Sequence, residues 1–91
     1  MSEHRDQVPT SVAIVCQAYA QLRCAARILA RADQPLYADT LRDAAEFITD
    51  EAPGQAFSDL DAVKRILEID EATTDPSVIL QRASIPVPGG G

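Results

Sequence analysis

The sequence predicts an all-α fold, a small helical bundle, and three observations carry that prediction. The 91 residues include two Phe, two Tyr and no Trp. Ala, Leu, Ile and Val must therefore build the core, which suits closely spaced helices better than a sheet. From Val12 to Ala32 there is neither Gly nor Pro, and apolar residues recur there at steps of three and four. Pro and Gly fall between the periodic stretches, at Pro35, Pro53-Gly54 and Pro76, where helices are expected to start and stop. A chain of this length buries only about 60–65% of its unfolded surface, room for one core. Hydrophobic residues at 46% and charged residues at 24% are close to globular averages and exclude wholesale disorder and collagen-like or membrane character.

The first helix is expected over about residues 10–32, with Pro9-Thr10-Ser11 supplying N-cap chemistry. Val12, Val15, Tyr19, Leu22, Ala26 and Leu29 form a heptad-like seam, which Ile14, Ala18, Ala25 and Ile28 widen to one side. The opposite face carries the small residues Ala13, Cys16, Ala20 and Cys24. The first half of this helix is thus nearly uncharged all round, and a short chain has few elements to cover it. A homodimer interface through Ala13, Cys16, Ala20 and Cys24 is therefore expected.

Asp33-Gln34-Pro35 reads as a break and a new N-cap, opening a second helix over about 35–52 and closing an antiparallel hairpin. Tyr37, Leu41, Ala44, Ala45, Ile48 and Ala52 form its packing stripe, while Phe47 joins Leu36 and Thr40 in a separate strip. Pro53-Gly54 should end this helix. Ser58, with Phe57 before it, reads as the N-cap of a third helix over about 58–72, in which Leu60, Val63, Ile66, Leu67 and Ile69 are buried. Lys64, Arg65, Glu68 and Glu71 should face water, with Asp61 and Arg65 as an i,i+4 pair. Asp75-Pro76 then begins a short helix over about 76–83. Residues 1–9 and the Pro- and Gly-rich stretch 85–91 are expected to be flexible, leaving 10–84 as the single helical domain.

Charge is unevenly placed. Residues 1–45 carry five acidic and five basic side chains, whereas residues 46–91 carry nine acidic and three basic, the whole net charge of −6. Such a surface repels nucleic-acid backbones and anionic lipid, so direct binding to nucleic acid or a membrane is disfavoured and a basic protein partner is favoured. The apolar run Val12 to Cys16 is short, and Met1-Ser2-Glu3-His4-Arg5-Asp6 lacks the pattern of a secretory leader; a cytoplasmic location is expected. Cys16 and Cys24, about 12 Å apart along one helix, cannot bridge within a chain. With one His, at position 4, and no Cys-x-x-Cys, no metal site and no cofactor are expected.

Two single-sign stripes are the candidate sites. Asp39, Asp43, Glu46 and Asp50 stack along one side of the second helix, where like charges cost about a few tenths of a kcal/mol each. A basic protein surface would offset that cost, with Phe47 completing the contact; a solvated face is the alternative account. Arg23, Arg27 and Arg31 repeat along the first helix and could hold a nucleotide or other polyanion, or pair with Asp39 and Asp43 across the hairpin. Catalysis has thin support, since His4 lies near the terminus and Lys64 on an exposed face. The favoured reading is a non-enzymatic interaction protein, a stoichiometric inhibitor or regulator of a larger, nucleic-acid-handling protein. An arginine-stripe ligand binder and a structural subunit of a helical assembly are the two other readings.

Overall fold

One helix is the common partner of the other three. The computed structural model of the chain describes residues 9–52 and 54–86, and these form α1 (Thr10–Arg31), α2 (Pro35–Glu51), α3 (Gly54–Ile69) and α4 (Pro76–Arg82). About 80% is helical, with no strand among the described residues, so the all-α bundle expected from the sequence is what the chain forms. α2, α3 and α4 each pack on α1, most extensively α2, and α3 also meets α4. Of the ends expected to be flexible, 1–9 and 85–91, residues 1–8 and 87–91 lie outside the described residues, as does the helix-ending Pro53.

The α1–α2 connection is a three-residue turn that reverses the chain. Asp33, expected to cap α2, instead adopts the left-handed conformation with φ 64°. Its amide donates to Ala30 O at 3.2 Å and the Gln34 amide to Leu29 O at 2.9 Å, the Schellman pattern that satisfies the last carbonyls of α1. The N-cap of α2 is Gln34, without a side-chain bond, followed by Pro35 in the first turn. The N-cap of α1 is Pro9, so the side-chain capping expected around Thr10 and Ser11 is absent. α2 turns Ala38 and Ala45 fully inward, with Leu41, Ile48 and Ala52 half-buried. Alanine at the contact lets two helix axes approach closely, and Tyr37 and Ala44, expected in the packed stripe, lie outside it.

α3 begins four residues before its expected start and ends three before its expected end. Ala56 is buried in the core in register with Leu60, Val63 and Leu67, so extending the helix back by one turn adds an apolar contact. Ser58 is therefore an interior helical residue, and Phe57 is exposed. The helix stops because the Asp70 carboxylate takes over the next amides: Oδ1 accepts from the Ala72 and Thr73 amides, each at 3.1 Å. Ile69, expected in the core, is 72% exposed in this last turn. α4 starts as the sequence predicts, with Asp75 Oδ1 accepting from the Ser77 amide at 3.0 Å. It closes with a second Schellman turn: Ser84 has φ 62°, and the Ile85 amide reaches Leu80 O at 2.9 Å. Ile85 then drops into the core, so the segment expected to be flexible from residue 85 is anchored at its first residue.

The core joins one face of α1 to the inner faces of α3 and α4. Ala13, Cys16, Ala20 and Cys24 are buried there beside Leu60, Val63, Leu67, Ile79 and Leu80. This corrects the expected homodimer interface, because the chain's own third and fourth helices cover those four residues. α1 is long and apolar enough to cross a bilayer by length and composition, and 39% of that window is buried inside the bundle.

Candidate functional site

Because α2 packs chiefly on α1, most of its circumference faces solvent. Asp39, Asp43, Glu46 and Asp50 are all exposed on it. Arg42, a turn away from the stripe's first member, pairs with Asp39. Asp43, Glu46 and Asp50 make no ion pair among the described residues. Phe47 is 64% and Leu36 80% exposed beside them, and the Thr40 hydroxyl in the same strip donates to Leu36 O at 3.0 Å. An exposed phenyl ring next to three acids without basic partners among the described residues joins an apolar anchor to a negative field.

At its far end the acidic stripe runs into a groove between α2 and α3. Thr49, Asp50, Phe57, Leu60, Asp61 and Lys64 line a space of about 180 Å³. Its lining is apolar at Phe57 and Leu60 and charged at Asp50, Asp61 and Lys64. Asp61 shares its charge with Arg65, whose Nε donates to Oδ2 at 3.0 Å, the pair expected from the sequence. This groove was not legible in the sequence, because Phe57 was assigned to a cap instead of to a helix facing the end of α2.

Two arginines of α1 bond to backbone carbonyls. Arg27 Nη1 donates to Thr73 O at 2.7 Å and Nη2 to Leu67 O at 2.6 Å. Arg31 Nη2 donates to Glu71 O at 2.9 Å. Their partners are thus carbonyls at and beyond the C-terminus of α3, not Asp39 and Asp43. The cause is topological: α3 ends beside the last turns of α1, and its final carbonyls have no helical partner and carry partial negative charge. Arg23 turns back on its own helix, with Nη1 donating to the Tyr19 hydroxyl at 2.6 Å and the guanidinium 5.6 Å from the ring centroid. This satisfies the one phenol buried in the core.

Asp70 was the residue that sequence reasoning missed. Besides the two amides on Oδ1, its Oδ2 accepts from Arg82 Nη1 at 2.8 Å, tying the α3–α4 turn to the end of α4. The Thr73 and Ala72 amides, with the Arg82 and Arg27 charges behind them, hold its carboxyl below the usual aspartate range. The signal available was Asp70-Glu71-Ala72-Thr73 just after an apolar helical run, a spacing at which an Asp side chain replaces the helix ladder.

Cys16 and Cys24 are free and buried. Burial, with Asp59 adding to it, pushes the Cys16 thiol up to about 11; burial also raises Cys24, partly offset by Arg27. Both are packed thiols with little thiolate character at neutral pH. Among the described residues no three His, Cys, Asp or Glu side chains are grouped to hold a metal ion. No family model matches the chain, and the comparisons with curated proteins and with solved structures give no match.

Proposed function

We propose that this chain is a non-enzymatic interaction module that binds a basic surface of a larger protein through the outer face of α2 and acts as its stoichiometric regulator. The observation that carries this reading is the exposure of Phe47 and Leu36 alongside Asp43, Glu46 and Asp50, which have no basic partner among the described residues. Large exposed apolar side chains rimmed by charge are typical of contact sites, where an aromatic anchor supplies affinity and the charges steer approach. The groove beside Phe57 continues this surface: the exposed Phe57 ring offers packing for the stem of a Lys or Arg side chain, with the Asp50 and Asp61 carboxylates, alongside Lys64, in the same lining. A basic nucleic-acid-binding groove is one partner surface of the right sign.

The test compares the wild-type chain with the triple reversal Asp43→Lys/Glu46→Lys/Asp50→Lys and with Phe47→Ala, using the partner recovered with the wild type at low salt. The triple reversal is expected to weaken binding at least about 100-fold with unchanged helicity, and Phe47→Ala about 10-fold or more. A control reversal of Glu68 and Glu71, which are exposed elsewhere, should change affinity less than about 3-fold. Equal loss from both sets of reversals would show that net charge, not this face, governs binding.

A further inference from the structure

Among the described residues, α2, α3 and α4 leave a strip of α1 partly exposed. At 100° per residue, Ile14, Ala18, Gln21, Ala25 and Ile28 line up on the side of α1 away from the buried Cys16. Ile14 and Ile28 are 51% and 52% exposed, Gln21 is exposed, and Ala18 and Ala25 are half-buried. The strip holds no charged side chain, since Arg27 and Arg31 reach the other way to α3 and Arg23 to Tyr19. Its members are spaced 4, 3, 4 and 3, the rhythm of a coiled-coil seam.

The strip also reads the same from either end: Ile, Ala, Gln, Ala, Ile. A second copy laid antiparallel and centred on Gln21 sets Ile14 against Ile28 of the partner subunit, each seven residues from the centre, and brings Ala18 within one residue of facing Ala25 of the partner subunit. The two Gln21 side chains then meet on the two-fold axis, where each carboxamide offers the donor and the acceptor the other needs. The alanines on either side allow the helices to approach. This nearly self-matching order suits an isologous contact, in which the same patch serves both subunits, and it favours a copy of the same chain over an unrelated helix. Two chains at net −6 can meet along it without placing an acid in the seam.

We infer that the chain forms a two-fold homodimer by antiparallel pairing of α1 about Gln21. This stands independently of the docking face on α2. Sedimentation of the full chain should give twice the 9.8 kDa chain mass. Ile14→Lys and Ile28→Glu, each at an exposed position and checked for native helicity, should separately raise the dissociation constant about 30-fold or more. The double variant should recover to within about 10-fold of wild type, because antiparallel pairing sets each introduced lysine opposite an introduced glutamate. Gln21→Cys should cross-link on mild oxidation, and the wild type, whose cysteines are buried, should not. A wild-type chain that stays monomeric to about 100 μM, well above the range of specific dimers, overturns the inference, whether or not it binds lipid vesicles or a larger protein. So does a double variant no tighter than the weaker single one, the result of parallel pairing.

Discussion

Arg27 joins parts of the chain that lie 40 and 46 residues away from it, and this use explains much about how the bundle closes. A charged donor on a helix-terminal carbonyl contributes about 1.5–3 kcal/mol, and half-burial of the arginine keeps solvent from erasing it. Arg27→Ala is expected to lower unfolding free energy by about 2 kcal/mol in urea titration, and Arg27→Lys by about half as much, because one ammonium cannot span both carbonyls in the same geometry. Cys16 gives a second expectation. An unfolded cysteine loses its proton near the ordinary value of 9.0, whereas the native thiol keeps it to about 11. Between those values the native state holds more protons than the unfolded one, so stability is fully present below pH 9 and falls as pH rises toward 11. Urea midpoints across that window should fall more steeply for the wild type than for Cys16→Ala, which is less stable at neutral pH but lacks the titrating group. At this scale the sequence showed which residues were arginine, aspartate or cysteine at helical spacing. It did not show their partners, because Leu67, Glu71 and Thr73 offer backbone carbonyls that carry no side-chain signature.

The helices were legible where Pro or Gly coincided with a change of apolar period and misplaced where a side chain merely resembled a cap. The bounds of α1 and α2 follow the uninterrupted stretch before Asp33 and the Pro35 after it. Asp75-Pro76 marks α4 for the same reason, and there the cap is made. Ser58 shows the opposite case: cap chemistry was present, but burial of Ala56 outweighed it and drew the helix back to Gly54. The two sites should respond differently to alanine. Asp75→Ala is expected to cost about 1 kcal/mol through loss of the cap bond, whereas Ser58→Ala should be neutral or slightly stabilising, within about 0.5 kcal/mol, since alanine is favoured inside a helix. Thermal melts of the two variants check this, and a Ser58→Ala loss matching that of Asp75→Ala would return the helix start to Ser58. The apolar character of α1 is legible in the sequence, but which of its faces the other helices take is not: α3 and α4 cover the small-residue face, and Ile14 and Ile28 stay half-exposed.

Over the whole molecule, 46 Å in its longest dimension by 25 and 23 Å, the surfaces divide by helix. α3 and α4 close the core on one side of α1, while α2 is fastened to α1 and presents its acids and Phe47 outward. The acidic stripe was visible in the sequence as a spacing, but its groove was not, because the groove depends on where α3 begins. The excess of negative charge in the second half is spread over α2, α3 and the turn after it. A docking account must therefore be specific to α2. The most direct measurement is a native mass spectrum of the chain recovered at low salt from its own cells. The account predicts a larger protein bound in stoichiometric ratio, released as salt is raised and missing when Asp43, Glu46 and Asp50 are reversed. A spectrum containing only homo-oligomers, or a complex that survives the reversal unchanged, would contradict it.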